Sequence, residues 1–199
     1  MEVLDPPWCA RCGRPLAVSA GSCAECPPRD VASIRAAFRF DGPVRDALLR
    51  LKFAGERALA EPIGRAMAAA LEPGAPAGEG RPITWVPLSS RRRAARGYDQ
   101  AEALARAAAA AAGAPVIRVL DRVVDASPQA KRSRAQRLGA LWGAFVATGA
   151  APEEVILVDD VVTTGSTAAE CARVLRAAGA RRVHVLAAAR TLAGPLPAR

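Results

Sequence analysis

The stretch "VILVDDVVTTGST" (155–167) constrains this chain more than any other. Four apolar residues, Val155 to Val158, run without interruption into Asp159 and Asp160. A continuous apolar run of this length predicts a strand buried on both faces, as in a parallel sheet. The turn Thr163, Thr164, Gly165, Ser166 and Thr167 then enters a helical stretch, from about Ser166 to Ala178, ended by Gly179. Strand, turn and helix in this order place the two acids at the C-terminal edge of an open α/β sheet, where such sheets bind ligands. The backbone N–H groups of the turn, the positive end of the helix and the hydroxyls together form an anion cradle suited to phosphate. Gly165 lets a ligand approach the backbone closely. The carboxylates cannot hold phosphate, but they accept hydrogen bonds from vicinal hydroxyls. A ribose 5-phosphate moiety satisfies both halves. Ordinary helix capping needs one Ser or Thr and leaves two consecutive acids unexplained. No G-K-[ST] follows a glycine-rich loop, and no G-x-G-x-x-G occurs.

Strands and helices alternate along the rest of the chain. "AAFRFDG" (36–42) reads as a strand and turn, and "VRDALLRLKF" (44–53) as a helix with Val44, Leu48 and Leu51 on one face. "ERALAEPIGRAMAAALE" (56–72) is helical, with Pro62 breaking it or starting a second helix. "ITWVP" (83–87), "PVIRVL" (115–120) and "RVHVLAAA" (182–189) are strands, and "YDQAEALARAAAAAAG" (98–113) is a helix closed by Gly113. "DASPQAKRSRAQR" (125–137) is a polar, basic loop. The alternation predicts a mostly parallel sheet with helices on both faces. The expected division is a cysteine-rich module over 1–30, a helical lead-in or hood over 31–80, and the α/β core over 81–199.

Residues 1–30 hold four of the five cysteines, as "CARC" (9–12) and "CAEC" (23–26). Two C-x2-C turns present four thiolates to one tetrahedral ion, so Cys9, Cys12, Cys23 and Cys26 are the expected ligands of a structural Zn2+. Four protein ligands leave no position for a catalytic water. A redox dithiol or an iron–sulfur cluster is the alternative. Cys171, inside a helix, reads as a small buried hydrophobe. The uncharged run Ala107–Ile117 is too short to cross a membrane, and "MEVLDPPW" lacks the basic start and apolar block of a secretory signal. A cytoplasmic setting without membrane insertion is expected. The net charge of +9 comes almost wholly from Arg. It fits either the amino-acid usage of a GC-rich genome or attraction to phosphates and nucleic acid.

The thirteen residues 155–167 resemble the phosphoribosyl diphosphate signature of type I phosphoribosyltransferases. The wider chain resembles the ComF family, a branch with an N-terminal zinc knuckle. The resemblance is carried by "FDGPVRDALLRLKFAG" (40–55), "VPLSSRRRAARGYDQAEALA" (86–105) and "SPQAKRSRAQRLGALWGAF" (127–145). In the last of these, the spacing of Gln129, Arg134, Arg137 and Phe145 agrees with the family. Where the family usually has R-G-[FY]-N-Q, this chain has Arg96–Gly97–Tyr98–Asp99–Gln100, and Ala140 stands in place of a usual Asn.

The resemblance implies a type I phosphoribosyltransferase-like fold and binding of phosphoribosyl diphosphate with Mg2+. It also implies possible phosphoribosyl transfer and a link to DNA uptake in natural transformation, at the inner face of the membrane. In such a site Asp159 and Asp160 grip the sugar hydroxyls and favour a cationic transition state. Residues 163–167 hold the 5-phosphate. Pro87, Leu88 and Ser89 form the diphosphate turn, Arg96 closes over the ligand, and Gln129, Arg134 and Arg137 belong to a lid. Plainer readings make Arg91–Arg93 and the basic loop solvated surface, Lys52 the solvated edge of an amphipathic helix, and His184 structural. Tyr98, Trp8 and Trp142 are candidates for stacking on bases, whereas Trp85 and the phenylalanines read as core. The alternative function is a non-catalytic single-stranded DNA-binding protein that uses the pocket as a ribose-phosphate sensor.

Overall fold

The computed structural model of the chain describes residues 9, 11–14, 26, 30–71, 80–123 and 141–192. Its centre is a sheet of four parallel strands, β1 (Ser33–Arg39), β2 (Ile83–Trp85), β5 (Glu154–Val162) and β6 (Arg182–Arg190), in the order β1-β6-β5-β2. The two nine-residue strands β5 and β6 lie in the middle. Both faces of β5 are covered, which accounts for its unbroken apolar run. Val155 and Leu157 face one core, with Val183, Val185 and α5 (Ser166–Ala177). Ile156 and Val158 face the other, with Leu48 of α1 (Gly42–Leu49), Met67 of α2 (Ala60–Ala69) and Leu104 of α4 (Gln100–Ala112).

Strand β5 continues through the acid pair to Val162 and stays paired to β6 at Asp159↔Ala187 and Val161↔Ala189. On its other side β2 stops sooner. Trp85 pairs with Val158, and Val86 N–H gives a last bond to Val158 O at 2.9 Å. The acids therefore project beyond the end of β2, and the sheet opens there. The short helix α3 (Ser90–Arg96) fills part of the opening. An antiparallel ribbon of β3 (Leu120–Arg122) and β4 (Phe145–Ala147) stands outside the main sheet.

Two expectations change. The 115–120 stretch touches the sheet only at the bridge Ile83↔Val116, through Ile83 N–H to Pro115 O and Ile117 N–H to Ile83 O. The chain then leaves the sheet edge, and Leu120 joins the ribbon instead. Helix α1 ends at Leu49 and passes into a π-type turn, Arg50–Ala54, closed by Gly55 at φ 71°. Pro62 starts a helix rather than breaking one, because the first turn of α2 needs no N–H at that position. Among the described residues no helix is long and apolar enough to cross a membrane.

Helices α2 and α4 pack closely through Gly64. A Cβ there would lie 2.4 Å from Ala107 Cβ and 2.8 Å from the backbone of Ala107 and Ala108. The obstacle is largely backbone and cannot swing away. Gly64→Ala is expected to destabilise the protein by about 1–3 kcal/mol, the usual cost of overpacking, despite the better helix propensity of Ala. Urea unfolding measures it.

Candidate active site

The opening beyond β2 is a cleft of about 180 Å3. Pro87, Leu88, Arg92, Arg96, Gln100, Asp159, Asp160 and Thr167 line it, with Lys52 from the turn after α1 and Arg122 from the ribbon. Side chains from five separate segments thus meet at the point where β5 outruns its neighbour. Of the residues expected from sequence, the cleft brings together Asp159, Asp160, Pro87, Leu88, Arg96 and Thr167.

The two acids are held differently. Asp160 is buried, and both of its oxygens are engaged. Oδ1 accepts from Val161 N–H at 2.8 Å, and Oδ2 accepts from Lys52 Nζ at 3.0 Å and Gln100 Nε2 at 3.3 Å. Asp159 is half-buried, and its Oδ1 accepts from Asp160 N–H at 2.9 Å. Burial, and next the neighbouring Asp160 charge, push the Asp159 carboxyl well above the usual Asp range. Lys52 is therefore not the solvated helix edge that the sequence suggested. The π-type turn changes the phase of the side chains after Leu49, and Lys52 reaches the end of β5. Its standing as one of two lysines in an Arg-rich chain was the signal available in the sequence.

The turn after β2 is braced from behind. Leu88 N–H donates to Asp99 Oδ2 at 2.9 Å. The other oxygen of Asp99 accepts from Ala101 N–H at 3.0 Å and Glu102 N–H at 3.3 Å, capping α4. Asp99 stands where the family usually has Asn, so the exchange keeps an acceptor for Leu88 and for the cap. Burial raises the Asp99 carboxyl, against the lowering effect of the bond from Leu88 N–H and the cap bonds. Ser89 is buried and caps α3, accepting from Arg92 N–H at 3.4 Å; it is not part of the cleft wall. The arginines of α3 divide by helical phase. Arg92 and Arg96, four apart, face the cleft. Arg93 turns away to Glu102 at 3.2 Å.

The 163–167 turn borders the cleft. Gly165 has φ 77°, opens α5 and provides no side-chain cap. Thr164 Oγ1 and Ser166 Oγ are 2.8 Å apart, and Ser166 N–H donates to Thr164 Oγ1 at 3.4 Å. Thr163 is exposed, and Thr167 reaches the cleft wall. Gln129, Arg134 and Arg137 lie outside the described residues, as does Cys23. His184 is structural, with Nδ1 2.8 Å from Ser33 Oγ.

The sulfurs of Cys9, Cys12 and Cys26 lie within 4.8 Å of one another, a spacing that suits ligands of one metal ion such as zinc. The first knuckle turn is closed by Gly13 N–H to Cys9 O at 2.9 Å. It is fastened to the sheet by Ile34 N–H to Arg11 O at 2.7 Å and by a bond from Arg190 Nη1 to Cys12 O. Gly13, at φ 66°, lies against Ile34 O, where a Cβ would sit 2.4 Å away.

A parallel sheet flanked by helices, whose central strand ends in paired acids followed by a Thr/Gly turn into a helix, defines the class: an open-sheet α/β protein with a ligand-type cleft at the strand ends and a cysteine cluster near its N-terminus. No protein-family model matches the chain. It is 30% identical over 159 residues to the competence protein ComFC of Streptococcus pneumoniae, spanning 79% of this chain and 68% of that protein. It is 38% identical over 112 residues to the DNA utilization protein YhgH of Salmonella typhimurium, spanning 55% of this chain and 49% of that protein. The chain belongs to the ComF family. Among solved structures, it overlays in part on the glutamine phosphoribosylpyrophosphate amidotransferase of B. subtilis at 24% identity and TM-score 0.47, over 70% of this chain and 28% of that one.

The raised Asp159 carboxyl has a consequence for stability. Its folded-state pKa lies above the unfolded value near 3.8, so the folded protein binds the proton more tightly. Stability from this group falls as pH rises from that value through the folded pKa. Asp159→Asn is expected to flatten this fall and to raise the ligand-free melting midpoint at neutral pH by a few degrees, measured by thermal unfolding across a pH series.

Proposed function

We propose that the cleft binds phosphoribosyl diphosphate and is built for phosphoribosyl transfer. One observation carries the reading: two acids and four cations (Lys52, Arg92, Arg96 and Arg122) line one small cleft at the end of β5. The acids accept the 2- and 3-hydroxyls of the sugar. The turn 163–167 takes the 5-phosphate on backbone N–H groups and hydroxyls. Pro87, Leu88 and Ser89 form the turn beside the diphosphate, and Arg92 and Arg96 offer planar forks to its oxygens. Gln129, Arg134 and Arg137, outside the described residues, are further candidates for contact with the ligand. Mg2+, carried by ligand oxygens and water, supplies further positive charge to the diphosphate. When the bond at C1 of the sugar breaks, the leaving electron pair goes to the diphosphate and positive charge grows on the ring. The Asp159–Asp160 pair stabilises that charge. The names of the relatives, a competence protein and a DNA utilization protein, support a setting in DNA uptake; a cytoplasmic place beside the uptake machinery is part of the proposal.

Single-stranded DNA is the second reading, favoured by one surface feature. Trp142 is 71% exposed, and the Arg173 guanidinium stacks 4.3 Å from its ring centroid. Glu170 fixes Arg173 through two bonds, of 2.7 and 2.9 Å. An exposed indole backed by a cation is a platform for a base.

Calorimetry separates the two readings. The protein should bind phosphoribosyl diphosphate more tightly with Mg2+ than without it. Asp159→Asn combined with Asp160→Asn should weaken that binding at least about tenfold, since bonds to charged groups are lost, while leaving DNA affinity intact. No heat with the sugar diphosphate, alongside DNA binding that weakens steeply with salt, would favour the second reading. For the knuckle, we propose that Cys23 completes a four-thiolate zinc site with Cys9, Cys12 and Cys26. Elemental analysis should find one zinc per chain, lost in Cys12→Ser together with thermal stability; a folded, metal-free protein refutes the site.

A further inference from the structure

The cleft has a cationic half and an acidic half. Arg96 stands at the C-terminal end of α3, and Asp160 at the end of β5. Gln100, the first residue of α4 and only 4% exposed, lies between them. Its Oε1 accepts from Arg96 Nη1 at 2.9 Å, and its Nε2 donates to Asp160 Oδ2 at 3.3 Å. A guanidinium only donates and a carboxylate only accepts. The two partners therefore determine the amide's orientation; turned over, it would set N–H against N–H and oxygen against oxygen. None of the charged side chains of similar reach meets both demands. Glu only accepts, and Lys and Arg only donate. The backbone beneath Gln100 is held by the Asp99 cap on Ala101 and Glu102, and the same carboxylate takes Leu88 N–H from the turn after β2.

We propose that Gln100 is a positioning residue that joins the two halves of the site into one unit. It acts through Arg96 on the diphosphate side and through Asp160 on the sugar side, and the proposal rests on the reading of the cleft given above. A disturbance of Arg96 then loosens Asp160, and the reverse. Lys52 shares Asp160 Oδ2 with Gln100, so the carboxylate is gripped from α4 and from the turn after α1.

The test is a double-mutant cycle of Arg96→Ala and Asp160→Ala, run once with Gln100 present and once with Gln100→Leu. In the ligand-free protein the shifts in urea midpoint should be non-additive with Gln100 and additive without it. Where Gln100→Leu does not fold, Gln100→Met takes its place, since it keeps the length of the side chain and offers neither partner a strong donor or acceptor. In calorimetry with phosphoribosyl diphosphate and Mg2+, either variant should bind about tenfold more weakly than the unsubstituted protein, the scale of a lost bond to a charged group. Non-additivity that survives the loss of Gln100, or is absent with it, overturns the proposal. Undiminished affinity in both variants does the same. If the unsubstituted protein takes no phosphoribosyl diphosphate, the reading of the cleft has failed. The ligand-free cycle then decides by itself whether Gln100 ties Arg96 to Asp160.

Discussion

Two adjacent carboxylates at the end of a central, buried strand are costly, and much of this structure serves to accommodate them. An ionised group taken from water must recover its hydration from fixed partners. Asp160 recovers it from Val161 N–H, Gln100 and Lys52. Asp159 has less support and responds by holding its proton more tightly. The pair is therefore unequal in its support: three donors hold Asp160, and the Asp160 N–H alone is seen on Asp159.

The same junction explains why the site lies where it does. Strand β2 stops at Trp85 while β5 continues to Val162, so the acids have a neighbour on one side and space on the other. Into that space the chain sends α3, the turn after α1 and the β3–β4 ribbon, each bringing a cation. Asp99 ties α4 to the turn after β2, since one carboxylate caps the helix and holds the backbone of that turn. The knuckle is fastened to the far edge of the sheet through Arg11 O and Cys12 O, well apart in sequence from the Thr/Gly turn.

Local chemistry was legible wherever its parts were contiguous. The strand, acids, turn and helix of residues 155–177 could be read directly, because neighbours in sequence there are neighbours in space. The first C-x2-C turn was legible for the same reason, and Cys9, Cys12 and Cys26 do converge. Lys52 was misread as solvated because its partner lies 108 residues away and a π-type turn alters the phase of its helix. Arg122 carried no signal, since nothing local marks a ribbon residue as facing a cleft. Helix α3 was seen only as a charge run, and its division into cleft-facing Arg92 and Arg96 and outward Arg93 is a matter of helical phase.

By itself, the sequence determined the class of the fold, the place of the acids at a strand end, the hydroxyl-rich turn beside them and the convergence of Cys9, Cys12 and Cys26. These follow from period, burial and turn chemistry, which act over a few residues. Only the tertiary structure decided which cations face the acids, how the two carboxylates differ and which side chain joins the halves of the cleft. Those are matters of distance between segments far apart in the chain, and the strength of a charge interaction depends on that distance and on the water excluded from around it.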